Sequence, residues 1–281
     1  METAEAWVRA RTEDAALGPK SERVAHLLAT QPEFTSYATA GAVAERAGVD
    51  AATVVRTARA LGFTGWPDLR LELRGRYLSS LGAAEVLGQH EAAADPVQRA
   101  LRADLENLSL AVRTVDVAAV EAVAAAIAAA RRTVVLGSGS FSGPAYQLAH
   151  SCAFMGLDAQ FAVRGGTTLV NTLTQLGPGD CLVAINFWRL PREIRDATAV
   201  AGEAGVTTCV LTDLLRSGLT EVAEHVITVP SEGTSHFPSL TAAMAVVHAL
   251  LAEITRLRGE KARTAIRATE ALWRRLDLMC E

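Results

Sequence analysis

Lysine is nearly absent from this sequence: Lys20 and Lys261 are the only two among 27 basic residues. The rest are arginine, and beside so much alanine this reads as coding bias first and chemistry second. Cysteine is sparse as well. Cys152, Cys181, Cys209 and Cys280 lie far apart with no CxxC pair, which argues against zinc ligands and disulfides. Three of them sit in apolar surroundings and are expected as small core residues. The six histidines show no HExxH or HxH spacing, so no metal and no cofactor are expected. No window reaches about 18 uncharged apolar residues, so no membrane span is expected. Residues 117–130 come nearest, and they carry Glu121. The opening Met-Glu-Thr-Ala-Glu puts acids where a signal peptide needs basic residues, so the expected location is cytoplasmic.

What is present is enough apolar mass to fold. The chain has 281 residues, half of them hydrophobic, with a mean hydropathy of +0.20, which excludes disorder as the main state. The net charge of −4 does not mark a nucleic-acid binder, but its placement is uneven. Residues 1–80 are balanced, and the remainder is acidic. Between residues 50 and 76, Arg56, Arg59, Arg70, Arg74 and Arg76 face only Asp50, Asp68 and Glu72, a local basic patch compatible with DNA.

Residues 1–80 show helical periodicity and no strand signal. Helices are expected at 21–29, ending before Pro32, then at 40–47, at 51–61 and from Trp66 to about Leu81. Gly82, Gly88, the alanines 92–94 and Asp95-Pro96 suggest a linker, within 81–115, that includes a connecting helix from Val97. Beyond Arg132, short apolar runs at 134–136, 160–163, 181–185, 208–211 and 226–229 alternate with helical stretches. That pattern predicts a doubly wound parallel five-stranded sheet, closed by helices at about 240–258 and 261–276.

Two motifs carry chemistry. In AGAVAERAGVDAATVVRTAR (40–59), Ala44, Gly48 and Val54 hold the small, turn and packing positions of a helix-turn-helix. An ordinary helical hairpin would satisfy the same spacing. The second helix would then expose Ala51, Ala52, Thr53, Val55, Arg56 and Arg59. In the second motif, the strand at 134–136 runs into Gly137-Ser138-Gly139-Ser140-Phe141-Ser142-Gly143 before a helix, a turn suited to an anion. A dinucleotide site in which Arg164 meets a 2′-phosphate, and a tight turn without ligand, compete with that reading.

The run ATVVRTARALGFTGWPDLR closely resembles the N-terminal domain of RpiR-type transcriptional regulators, over about residues 17–78. Residues 116–257 resemble a SIS (sugar isomerase) domain, with GPGDCLVAIN a close match. The resemblance implies an all-α helix-turn-helix head (1–80) and, from residue 116 to 281, a SIS-like α/β body that binds an effector and oligomerises. It also implies serine and threonine hydroxyls on two loops that hold a sugar phosphate. Here the chain departs from the family. Phe141 replaces the serine of the first loop, and the second loop reads Asn186-Phe187-Trp188-Arg189-Leu190-Pro191, with Arg192 following.

The expected effector residues are therefore Gly137, Ser138, Gly139, Ser140, Ser142, Asn186, Trp188, Arg189, Arg192, Glu232, Ser235 and His236. Glu232 and His236 could be an acid–base pair or pocket walls, and Ser239 could simply cap a helix. Arg189 and Arg192 could instead be solvated and paired with Glu193 or Asp196. The expected function is a ligand-responsive, sequence-specific regulator of transcription. Its expected partners are a double-stranded DNA operator, a small anionic effector and further copies of itself, as a homodimer or homotetramer. The apolar helix at 242–257 is expected to join protomers. The alternatives are a phosphosugar isomerase with an accessory helical domain and an NADP-binding module.

Overall fold

The computed structural model describes residues 4–82, 85, 95–162, 165–214, 217–234 and 237–278. The chain divides into two compact units, Met1–Ala94 and Asp95–Glu281.

The first unit is helical, with no strand among its described residues: α1 (Ala4–Asp14), α2 (Pro19–Thr30), α3 (Pro32–Tyr37), α4 (Ala40–Ala47), α5 (Ala51–Ala60) and α6 (Trp66–Ser80). Among its described residues the head is therefore an extended helix-turn-helix without a wing. Pro32 does more than end α2. It opens α3, because a first-turn proline gives up no needed N–H and arrives with helical φ. Thr39 caps α4 by accepting from the Ala42 N–H, and Gly48 ends that helix at φ 65°, the left-handed turn a helix-turn-helix requires. Asp50 caps α5 through the Thr53 N–H at 2.8 Å.

Ala44 and Val54 are buried where the two helices meet. Leu61, Phe63 and Trp66 of the LGFTGW run close the same core, and the Trp66 indole donates to the Ala38 carbonyl at 3.2 Å. That run is distinctive because it seals α6 onto the helix pair.

The second unit begins with α7 (Pro96–Thr114) and α8 (Val117–Ala129). The expected connecting helix therefore belongs to the body: α7 packs on it, while residues 86–94 of the expected linker, Gly88 included, lie outside the described residues. Five strands follow, β1 (Thr133–Leu136), β2 (Ala159–Ala162), β3 (Cys181–Ile185), β4 (Thr207–Thr212) and β5 (His225–Thr228). They form one all-parallel sheet in the order β2-β1-β3-β4-β5. The intervening helices are α9 (Ser142–Phe154), α10 (Gly166–Leu173) and α11 (Arg192–Glu203), with α12 (Thr241–Arg258) and α13 (Glu260–Arg275) at the end.

Alternate strand residues feed opposite faces. Val135, Cys181, Val183, Ile185 and Leu211 pack with α8, α9 and α12, while Val134, Leu136, Leu182, Ala184 and Val210 pack with α10 and α11. Cys152, Cys181 and Cys209 are free and buried, and burial pushes the Cys152 thiol up to about 12. Cys280 lies outside the described residues. One expectation is corrected here. Ala242, Ala243, Val246, Val247, Leu250 and Ile254 of α12 are buried in the chain's own core against α8, so this helix has little apolar face left with which to join protomers.

Candidate functional site

In the head, α5 turns Val54 and Ala58 inward, with Ala51, Ala52, Arg56 and Arg59 exposed. Two residues expected on that outer face are not there. Thr53 is only 2% exposed, because its position in the first turn points its hydroxyl back to Asp50 Oδ2 at 2.9 Å. Val55 is half-buried against the head core. Arg56 donates to Thr53 Oγ1 at 2.8 Å, and Arg59 donates to the Thr64 carbonyl at 3.2 Å, so both guanidinium groups start from fixed anchors.

The basic patch is smaller than the arginine count suggests. Arg74 is buried with its guanidinium 4.3 Å from the Tyr37 ring centre, and Arg76 pairs with the buried Glu72 at 2.8 Å. Those two arginines serve the fold.

In the body, the winding direction changes between β1 and β3, and the carboxyl ends of these strands flank the crevice where open α/β sheets bind ligands. Gly137 leaves β1 in a place where a Cβ would lie 2.6 Å from the Phe141 carbonyl oxygen and 2.7 Å from the Ala145 Cβ. Only glycine lets α9 approach the strand this closely. Ser138 and Ser142 are half-buried, and Gly139 and Ser140 are exposed at the corner. The Ser142 hydroxyl donates to the Gly137 carbonyl at 3.0 Å, and the Phe141 N–H donates to the Ser138 carbonyl at 3.1 Å. Part of the expected anion cradle therefore braces the turn itself.

The loop after β3 meets this turn through Phe141 and Phe187, whose ring centres are 5.7 Å apart. Phe187 is fully buried. Asn186 is buried too, its amide donating to the Arg189 carbonyl at 3.2 Å, while its Oδ1 has no partner among the described residues. Trp188 adopts φ 60°, a left-handed conformation rare for a large side chain. Its backbone N–H is held by the Asp213 carboxylate at 3.0 and 3.1 Å, and its indole Nε1 is a second buried atom without a partner. The Arg189 guanidinium stacks 4.9 Å from the Trp188 ring centre.

Asp213, just beyond β4, had no part in the expected site, yet it ties three loops together. It accepts from Trp188 after β3 and from the buried Ser231 hydroxyl after β5, at 2.7 Å. Burial pushes its carboxyl above the ordinary range, while these two donors pull the other way. The available signal was an aspartate directly following an apolar strand, TTCVLTD.

Glu232 is exposed, and its backbone is clamped at both groups by the buried Asn107 amide of α7. Ser239 donates to Asp104 of α7 and accepts from the Thr241 N–H, so it does help to start α12. Ser235 and His236 lie outside the described residues, as does Arg164. Of the acids expected to pair with Arg189 and Arg192, Asp196 pairs with Arg195, and Glu193 accepts from the Gly166 N–H. An apolar groove of about 590 Å³ between α10 and α11 is lined by none of the expected effector residues. No helix among the described residues is long and apolar enough to cross a membrane.

Comparison with known proteins agrees with this architecture. Residues 10–80 match the family described as helix-turn-helix domain, rpiR family. Across 278 residues the chain is 26% identical to the HTH-type transcriptional regulator YfhH of Escherichia coli K12, spanning 96% of this chain and 98% of that protein. The sugar isomerase domain of the RpiR transcription factor from Sphaerobacter thermophilus is 33% identical with a TM-score of 0.60, spanning 62% of this chain and 97% of that one. The Vibrio vulnificus NanR protein complexed with ManNAc-6P shares the fold over 99% of this chain and 100% of its own, at 18% identity and a TM-score of 0.63. A helix-turn-helix head carried on a sugar-isomerase-like sheet defines a transcriptional regulator rather than an enzyme. The chain belongs to the RpiR family.

Proposed function

We propose that this regulator reads a double-stranded DNA operator with α5 and changes its grip when a small anionic metabolite enters the crevice between β1 and β3. The observation that carries the DNA half is the outward face of α5, where Arg56 and Arg59 project beside the small Ala51 and Ala52. A helix with small residues at its leading end can approach base edges closely, and arginine then reaches guanine or phosphate. One such helix makes few base contacts, so paired chains on two half-sites are the working form.

The effector half rests on chemistry at the sheet's carboxyl end. The indole donor of Trp188 and the Asn186 acceptor are buried without partners among the described residues, and a ligand that both donates and accepts would satisfy them. Arg189 and Arg192 begin the neighbouring segment and suit a carboxylate or phosphate. NanR, bound to ManNAc-6P, supports a sugar-derived anion. The loss of the second-loop hydroxyls and the gain of aromatic wall favour a sugar acid or organic acid over a simple hexose phosphate. Bound effector shifts operator affinity only to the extent that it favours one arrangement of the chains.

Selection of bound duplexes from random DNA tests the first half, and a palindromic or repeated site is expected. Arg56→Ala or Arg59→Ala should then weaken binding to that site by ~1–3 kcal/mol per lost base contact. No preference over random duplex would sink the regulator reading. Calorimetry tests the second: sugar-acid binding should weaken at least tenfold in Arg189→Ala. Tight hexose-phosphate binding that survives that substitution would refute the effector class.

A further inference from the structure

We propose that α7 is the self-recognition element of the body, pairing antiparallel with α7 of a second copy; this deepens the paired-chain reading above and rests on it. Val97, Leu101, Leu105, Leu108 and Val112 recur at spacings of four, four, three and four. At 100° per residue they fall within an arc of about 80°, the pattern of a helix–helix seam. Four of the five face outward: Val97 is 67% exposed, Leu101 60%, Leu105 65% and Val112 88%. These four side chains expose roughly 500 Å² per chain, so two stripes facing each other reach about 1,000 Å², the lower bound for a specific interface.

The stripe cannot roll inward to hide. On the adjacent face of α7, Asn107 and Ala111 are buried, Asn107 holds the Glu232 backbone, and Asp104 accepts from Ser239 and Thr241. Polar bonds thus lock the helix with its apolar seam turned out.

The helix dipole sets the direction, because antiparallel neighbours lay opposite partial charges side by side. An antiparallel pair centred between Asp104 and Leu105 sets Val97 opposite Val112 and Leu101 opposite Leu108. A two-fold contact of this kind is closed, giving a dimer rather than a filament.

The full chain carrying Cys280→Ser tests this, since the other three cysteines are buried. With a short bis-maleimide, Leu105→Cys should cross-link to itself, and Val97→Cys should not, because its two copies stand about 22 Å apart along the axis. The double variant Val97→Cys/Val112→Cys should cross-link. Leu101→Glu/Leu105→Glu, at exposed sites that leave the circular dichroism spectrum unchanged, should halve the light-scattering mass of the assembly at micromolar concentration. Efficient self-linking of Val97→Cys alone, or an unchanged mass in the double glutamate variant, would overturn the seam while leaving paired operator binding intact. A wild-type mass of one chain, with a monomer on the selected operator, would overturn both.

Discussion

At Trp188 the backbone takes a conformation that costs a large residue about 1–3 kcal/mol, and one carboxylate holds it there. Removing that acceptor by Asp213→Ala would leave the Trp188 N–H and the Ser231 hydroxyl without a partner. A loss of ~1–3 kcal/mol per orphaned group is expected, read as a lower urea midpoint at unchanged slope. Asp213→Asn keeps one acceptor oxygen and should lose less. Because burial raises the Asp213 carboxyl, the folded chain holds its proton more tightly than the unfolded chain does. Its contribution to stability is therefore complete below the ordinary aspartate range and is lost as pH rises through the raised folded value. Asp213→Asn should flatten that slope in unfolding curves measured across acid to neutral pH. A slope of equal size in the variant would assign it to other groups.

Helix boundaries are the weak and strong points of the head. Gly48 sits at φ 65°, so Gly48→Ala should cost ~1 kcal/mol in thermal unfolding and weaken operator binding by misaligning α4 and α5. Asp50 caps α5, and its hydrogen bonds from the Thr53 hydroxyl and N–H hold its carboxyl below the usual range. The sign is opposite to that of Asp213. The cap's contribution is present above the ordinary aspartate range and is lost as pH falls through the depressed folded value. Protection factors at the α5 amides, taken against the intrinsic exchange rate at each pH, should fall on acidification, and Asp50→Asn should blunt that change. In the body, Gly137→Ala forces the turn off Phe141 and Ala145, which should cost ~1–3 kcal/mol as an overpacked core does. Effector binding should fail with it.

For the whole molecule, effector and operator are linked through one conformational equilibrium. If the sugar-derived anion weakens operator affinity by some factor, the operator must weaken the anion's affinity by the same factor. Titrating the anion into chain alone and into chain–operator complex should show that weakening directly, and equal anion affinities in the two titrations would contradict the linkage. A ligand present at 100 times its Kd should also stabilise the body by ~2.7 kcal/mol. That shift should vanish in Gly137→Ala.

Local chemistry alone determined the plan of this chain. Capping residues, the Gly48 turn, the alternation of apolar runs and the spacing of Ala44, Gly48 and Val54 act between near neighbours, and so they were legible as a helical head and a parallel five-stranded body. The GPGD turn was met only through the family resemblance, and it is closed by Asp180, which accepts from the nearby Gly177 N–H and from Arg131, distant in sequence. The tertiary structure decided everything that depends on which face a side chain finds. Thr53 turned to its own cap, Arg74 and Arg76 turned to Tyr37 and Glu72, and α12 disappeared into the core while α7 was left with the open apolar stripe. It also joined Trp188, Asp213 and Ser231, which stand 25 and 18 residues apart in sequence but only a hydrogen bond apart in space. Periodicity reports that a helix has an apolar side. Only the packing of the other elements decides whether that side meets its own chain or another.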